Sequence, residues 1–419
     1  MTTLTAGLAD RIADLVEVYR DLHEHPELSF QEKRTASVVA ARLTAAGFEV
    51  TTGVGGTGVV GVLRNGEGGS VLLRADMDAL PVDETEKVSY RSRATGVDPD
   101  GDVVPVMHAC GHDTHVTALL GAADQLAARR EHWSGTVLTV FQPAEEIGAG
   151  ARAMLDDGFL DRFPRYDVAL GQHVISAPAG HLYASPGVFM AAADSLRVTV
   201  FGRGGHASAP QTTVDPIVIA ASIVLRLQTI VARELAATDV AVVSVGAIRA
   251  GSKENVIPAE AELKLNIRTF DEDVRTRVLA AVTRIVTAEA AAAGAPRPPE
   301  ITPINDFPLL VNDENTTRRL IAAFTTAFGA DEVHETGTKP ASEDFGRFGT
   351  AAGVPSVFWN FGAFDPVRYP DGAEQPNRAV MAGIAPGNHS SEFVPDNVEP
   401  ALLRATEALL TAAALWLTA

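Results

Sequence analysis

The 419-residue chain has a single cysteine, Cys110, so no disulfide can form within it. Basic residues are scarce: 34 Lys and Arg stand against 53 Asp and Glu, a formal net charge of −19. A surface that acidic repels phosphate backbones and anionic headgroups, so no nucleic acid and no membrane surface is expected as a partner. No uninterrupted apolar run reaches the roughly 18 residues needed to cross a bilayer. Met1 to Asp10 lacks the basic stretch and apolar core of a secretory signal, and no internal repeat or low-complexity tract is visible. These absences predict a soluble, cytoplasmic protein. What is present is ordinary for a globular chain, 46 % hydrophobic and 21 % charged residues, and the length favours two domains.

Periodicity predicts helices over 8–22 and 32–45, separated by a break at His25-Pro26, then short strands at 49–54, 58–63 and 71–73. From residue 112 the pattern alternates: helix 112–130, strand 135–141, a helix from 150, strand 167–170. Helices alternating with apolar strands predict an α/β/α domain with a mostly parallel sheet. After about 187 the order becomes strand 196–201, helix 214–235, strands 240–248 and 261–268, helix 272–293 and strand 300–304. That is the split βαβ plan of a smaller α+β, ferredoxin-like domain. The α/β pattern resumes with helix 312–328, strand 354–361 and a closing helix 398–417. The expected organisation is therefore a catalytic domain in two parts, 1–186 and 300–419, interrupted by an inserted domain at 187–299.

Chemistry-bearing residues recur where apolar strands end. Asp76 and Asp78 follow one strand, Glu145 and Glu146 another, and Gly171-Gln172-His173 a third. Cys110 and His112 sit two apart where a helix begins, a spacing at which both can face one metal ion. Taken alone, the same window also fits a Cys110 nucleophile activated by a histidine, or three exposed histidines beside a buried thiol. Neighbouring side chains in extended chain point to opposite faces, so Glu145 and Glu146 should differ in role, one holding metal and one moving a proton. In an open parallel sheet these strand ends would share one edge, where ligands bind. A polar loop before the last helix adds Gly387-Asn388-His389. His108 and His115 flank the ligand motif and fit a supporting role, whereas His132, His181 and His334 read as surface or packing residues. Asp98, Asp100 and Asp102 lack the closing glutamate of a calcium loop and read as an acidic turn. Ser390-Ser391 lacks the Gly-x-Ser-x-Gly elbow of a serine nucleophile.

The segments Asp76-Met77-Asp78-Ala79-Leu80-Pro81, Met107-His108-Ala109-Cys110-Gly111-His112-Asp113, Phe141-Gln142-Pro143-Ala144-Glu145-Glu146 and Gly204-Gly205-His206-Ala207 occur in that order. With His23-Glu24-His25-Pro26-Glu27-Leu28 and Ser342-Glu343-Asp344-Phe345, they resemble the metal-dependent amidohydrolases of the aminoacylase/carboxypeptidase family. The nearest branch is that of hippurate hydrolases, indole-acetyl-amino-acid hydrolases and N-acetyl-diaminopimelate deacetylases. The resemblance implies two divalent ions per subunit, zinc or manganese first and cobalt or nickel as further options. Carried over by motif, their ligands would be Cys110, His112, Glu146, His173 and His389, with Cys110 bridging and with Asp78 and Asp113 supporting the ligands from behind. Glu145 would be the general base toward a water held by the ions. The inserted domain would act as lid and homodimer contact, with His206 reaching the partner subunit's site to stabilise the oxyanion. Asn255 and Arg268 would bind the substrate carboxylate.

The implied reaction is hydrolysis of an N-acyl amino acid, acetyl, benzoyl or similar, to a carboxylic acid and a free amino acid. A metallo-carboxypeptidase or dipeptidase of the same fold is the alternative, and a metal-stabilised binding protein without catalysis a second one. Two departures from the family pattern stand out: Gln211 follows Pro210 where many relatives carry histidine, and the segment 96–106 is longer than usual.

Overall fold

The computed structural model describes residues 3–369 and 380–417. The chain forms two compact units: Met1–Phe189, Val311–Thr338 and Asp344–Ala419 make the first, Met190–Leu310 with Lys339–Glu343 the second. No helix among the described residues is long and apolar enough to cross a membrane.

The first unit is built on an eight-stranded sheet in the order Glu49–Val54, Gly58–Asn65, Gly135–Gln142, Ser70–Asp76, Val168–Pro178, Ser356–Phe364, Leu182–Tyr183, Val333–His334. The four central strands run parallel, and antiparallel partners flank them on both sides. The central strands are almost wholly buried, as expected of a parallel sheet covered on both faces. Helices Ile12–Glu24, His112–Ala128 and Val398–Ala413 pack together on one face, and the short helices Gly150–Asp156 and Gly346–Ala352 pack together against strands of the same sheet. Helices His112–Ala128 and Val398–Ala413 are buried on nearly every side. This is the mostly parallel α/β architecture that the alternating pattern predicts.

The second unit is a four-stranded antiparallel sheet in the order Ala241–Ala250, Glu260–Thr269, Ala192–Phe201, Glu300–Phe307. Helices Pro216–Leu227 and Glu272–Ala292 pack on each other and on the sheet. The strand Glu260–Thr269 alternates buried and half-buried residues, with Ala261, Leu263, Leu265 and Ile267 turned into a core shared with Ile223, Val278 and Val282. Both helices start on an aspartate: Asp215 accepts from Ile217 N–H ahead of Pro216, and Asp271 accepts from Asp273 and Val274 N–H. The strand and helix order is the ferredoxin-like plan.

Two elements differ from expectation. The single helix predicted over 214–235 stops at Leu227 and is followed by a π-turn at Ile230–Glu234. The Thr229 hydroxyl donates to Arg226 C=O and the Gln228 amide to Val224 C=O, so polar side chains occupy carbonyls at the helix end. The strand predicted over 167–170 continues to Pro178 because Ser356–Phe364 pairs with it along almost its whole length. The acidic segment 96–106 is a hairpin of Thr95–Val97 and Val103–Pro105, closed by Asp98, whose side chain accepts from Asp100 and Asp102 N–H.

Candidate metal centre

Strand register levels the site residues. Asp76 pairs with Gln142, so the strands Ser70–Asp76 and Gly135–Gln142 end together, and Asp78, Glu145 and Glu146 follow within four residues. Arg74 pairs with Gly171, which puts His173 level with Asp76 although its own strand runs on. His173 therefore lies inside a strand, not after one as its sequence suggested. Gly111, at φ +78, turns the chain into helix His112–Ala128, and a Cβ there would lie 2.4 Å from the Val174 side chain.

The structure brings Cys110, His112, Glu145, Glu146, His173 and His389 into one cluster. Potential ligand atoms of Cys110, His112 and His173, of Cys110, Glu146 and His389, and of His112, Glu145 and Glu146 each lie within 4.8 Å of one another. Cys110 Sγ is 3.3 Å from His173 Nε2, and His389 Nε2 is 3.3 Å from Glu146 Oε2. Each histidine in the buried core of the cluster has its tautomer fixed from behind. His112 Nδ1 donates to Asp78 C=O at 2.8 Å and His173 Nδ1 to Val174 C=O at 2.7 Å, which leaves both Nε2 lone pairs for the cluster. Asp78 also accepts, through its carboxylate, from the N–H groups of Glu145 (3.1 Å) and Glu146 (3.0 Å), so one residue holds a candidate ligand histidine by its carbonyl and the Glu145–Glu146 turn by its side chain.

His115 is close to Asp76 and His112 but is not available to an ion. Its Nδ1 donates to Asp76 at 2.5 Å and its Nε2 accepts from Val174 N–H at 2.8 Å, so both nitrogens are engaged. It pins the backbone next to His173. Asp76 in turn is ion-paired with the fully buried Arg74, which also reaches Gln142 and Asp344. Among the described residues, the Asp113 carboxylate hydrogen-bonds His23 Nδ1 at 2.6 Å and Thr114 N–H rather than a side chain of the cluster. His108, expected in a supporting role, is fully buried with no hydrogen-bond partner on either ring nitrogen.

The donor set fits divalent cations. His112 Nε2 and Glu146 Oε1 are buried without hydrogen-bond partners, and thiol, imidazole and carboxylate together suit zinc, with manganese or cobalt accommodated by the oxygen donors. Electrostatics agree. Burial pushes the Glu146 carboxyl up to about 8 against the pull of His112. Burial opposes protonation of His112, but Asp76, Asp78 and Glu146 hold it at about 10. Burial and the carboxylates of Glu146, Glu145 and Asp76 push the Cys110 thiol well above its ordinary range. As bare side chains these groups keep their protons, and cation binding would release them. Burial, the first of the influences that raise the Cys110 thiol, disfavours a free thiolate as nucleophile, and burial also holds His173 neutral, so it is no cationic partner for one.

The second unit carries His206, Asn255 and Arg268. His206 is exposed on a two-residue strand paired with Val256–Ile257, and Ala207 N–H donates to Asn255 C=O. Gly205 precedes it because a Cβ there would meet the Thr213 side chain at 2.6 Å. Ser208 N–H donates to His206 Nδ1 at 3.1 Å, so the neutral ring carries its proton on Nε2, a ready donor. Arg268 donates to Pro340 C=O (2.7 Å) and to the hydroxyl of Ser342 (3.0 Å), and burial lowers its pKa.

Sequence reasoning missed three supporting residues. Arg74 was visible only as a lone charge in the strand Val71-Leu72-Leu73-Arg74. Ser29 and Glu32, which bond Asp78 and Ala144, were hinted at only by the unassigned motif that starts at His23.

Comparison with known proteins gives matches of three kinds, to a family model, to relatives and to a solved structure. The model of peptidase family M20/M25/M40 matches residues 72–381. Thermostable carboxypeptidase 2 of Saccharolobus solfataricus is 37 % identical over 388 residues, 91 % of this chain and 90 % of that one. Hippurate hydrolase of Campylobacter jejuni is 41 % identical over 276 residues, 65 % of this chain and 68 % of that one. Among solved structures, the Bacillus subtilis YXEP protein, a dinuclear metal-binding peptidase of the M20 family, superposes with a TM-score of 0.72 at 29 % identity, covering 97 % of this chain and 99 % of that one.

Proposed function

Because the chain belongs to peptidase family M20/M25/M40 and is a hydrolase of that family, we propose that it cleaves N-acyl amino acids to a carboxylic acid and a free amino acid. The observation that carries this reading is a carboxylate to spare: Glu145 stands beside a thiol, imidazole and carboxylate set that can hold ions without it. A site built only to bind metal needs no such base.

We assign Cys110, His112, Glu146, His173 and His389 as the residues that would hold two divalent ions, zinc or manganese. When bound, the ions would polarise the amide carbonyl and lower the pKa of a water. Glu145 takes the proton from that water and delivers it to the leaving nitrogen. Asp78 keeps Glu145 in reach by holding its backbone N–H. His206 of the partner subunit donates from Nε2 to the oxyanion as it develops. Arg268 presents its planar fork to the substrate carboxylate, with Asn255 as a further donor. A homodimer is part of this reading. It is supported by the edge strand Ala241–Ala250 with exposed Val242 and Ile248, and by exposed Val218 and Leu225 on helix Pro216–Leu227. A cytoplasmic location fits the need to keep Cys110 reduced.

The test is amine release from acetyl-, benzoyl- and indole-acetyl-amino acids and from dipeptides, as purified, after chelation, and after adding back Zn²⁺, Mn²⁺ or Co²⁺. Acyl amino acids should be turned over, with activity lost to chelator and restored by metal. Failure to release amine from every acyl amino acid in the metal-loaded state would overturn the reading. The similarity to a carboxypeptidase favours a second reading, in which dipeptides outrun every acyl amino acid in the same panel.

A further inference from the structure

Three non-glycine residues among those described have positive φ: Phe30 at +61, Ala144 at +49 and His389 at +68. Left-handed backbone at such residues costs energy and persists where surroundings hold it. His389 is itself in the cluster. Phe30 and Ala144 lie more than a hundred positions apart, yet both give their N–H to the same atom, Glu32 Oε1, at 2.9 and 2.8 Å. The Thr57 hydroxyl donates to Oε2. Glu32 is completely buried, and nothing in the reaction described above uses it.

Ala144 is the hinge of the turn that presents Glu145 and Glu146. Its C=O accepts from Ala149 and Gly150 N–H, which folds the turn back on itself, and the next two N–H groups are held by Asp78. Ser29, three residues before Glu32, donates to that same Asp78 at 2.7 Å. The loop after the His23 motif thus grips both supports of the turn.

We propose that Glu32 is a positioning residue for Glu145 and Glu146, acting as a buried acceptor that ties the left-handed Ala144 to the left-handed Phe30. The proposal rests on the roles assigned above to Glu145 and Glu146. What matters is the reach of the acceptor rather than its charge. Glu32→Gln keeps an oxygen at the same distance and should preserve function. Glu32→Asp keeps the charge but withdraws the oxygen by one methylene, leaving two N–H groups of strained backbone without their acceptor.

The experiment measures Zn²⁺ affinity by titration of the apo chain, and kcat and KM of the metal-saturated enzyme. E32D should weaken Zn²⁺ binding and lower kcat, each by about 10–100-fold as for other residues that orient ligands, with KM changed far less. E32Q should stay within about threefold of the parent in both, a size set against that same range. Adding Ala144→Gly to E32D should recover part of both losses, because glycine adopts positive φ without help. The proposal is overturned if E32D binds Zn²⁺ like the parent, if E32Q is as impaired as E32D, or if A144G recovers nothing. The titration needs no substrate, so it decides the point even if acyl amino acids prove not to be the substrate.

Discussion

The two units present their chemistry in opposite ways. In the first, His112 and His173 are each locked by a backbone carbonyl, the turn of Glu145 and Glu146 is held by Asp78, and the inner members of the set lie against Asp76 and His115 while His389 is exposed at its rim. In the second, His206 and Asn255 are exposed on short strands and loops, and among the described residues the His206 ring is hydrogen-bonded by its neighbour Ser208 alone. A cluster held from behind in this way suits proton transfer and the binding of ions, where small displacements are costly. An exposed donor suits a step completed after substrate arrives. The difference teaches that the first unit should decide whether the reaction occurs, and the second how well its transition state is held.

The largest effect expected is at Glu145. Glu145→Gln removes the base but keeps the shape, and should lower kcat by roughly 10²–10⁴-fold while metal content per chain stays the same. Metal analysis alongside steady-state kinetics checks both halves. Unchanged turnover would remove the mechanism. Unchanged metal with no turnover separates a lost base from a lost site, and so also tests the reading of the chain as a mere metal-stabilised binder. His206→Ala comes next. Loss of one oxyanion donor should lower kcat by about 10²–10³-fold, with metal affinity and the fold of the first unit untouched. If H206A instead changes metal affinity, the division of labour between the two units is wrong.

The parts of this contrast were unequally legible in the sequence. Fold class could be read because hydrophobic periodicity switches near residue 187 from alternating helix and strand to a split βαβ order. The meeting of Cys110, His112, Glu145 and Glu146 could be read because the residues come in pairs, one where a helix begins and one where an apolar strand ends. Single residues bound by distant partners left no pattern. Glu32 bonds Ala144 across 112 positions and Arg74 pairs with Asp344 across 270, and neither spacing has a signature. His173 looked like a loop residue because glycine and glutamine dilute its strand, and only pairing with Ser356–Phe364 extends it. The helix ending at Leu227 could not be told from a longer one, since the hydrogen bonds of Gln228 and Thr229 depend on side-chain direction rather than composition.

The smallest effect contrasts His23 of the first unit with His206 of the second. His23 is buried between Asp113 at 2.6 Å and Glu84 at 3.0 Å. Burial alone would lower its pKa, but hydrogen bonds to Asp113 and Glu84 raise it from 6.5 to about 9. A raised folded-state value means the unfolded chain binds fewer protons between pH 6.5 and 9. The stabilisation is therefore fully present below pH 6.5 and is lost as the pH rises through 9, on the order of 3 kcal/mol. The thermal midpoint of the first unit should fall over that window, and His23→Gln should flatten the dependence. Hydrogen exchange resolved by segment gives the sharper check. Raising the pH should speed opening around His112–Ala128, after correction for the intrinsic rate, while strands 241–250 and 260–269 of the second unit keep their protection. Equal loss of protection in both units would show that the His23 ion pairs are not a local brace of the turn that carries Cys110 and His112.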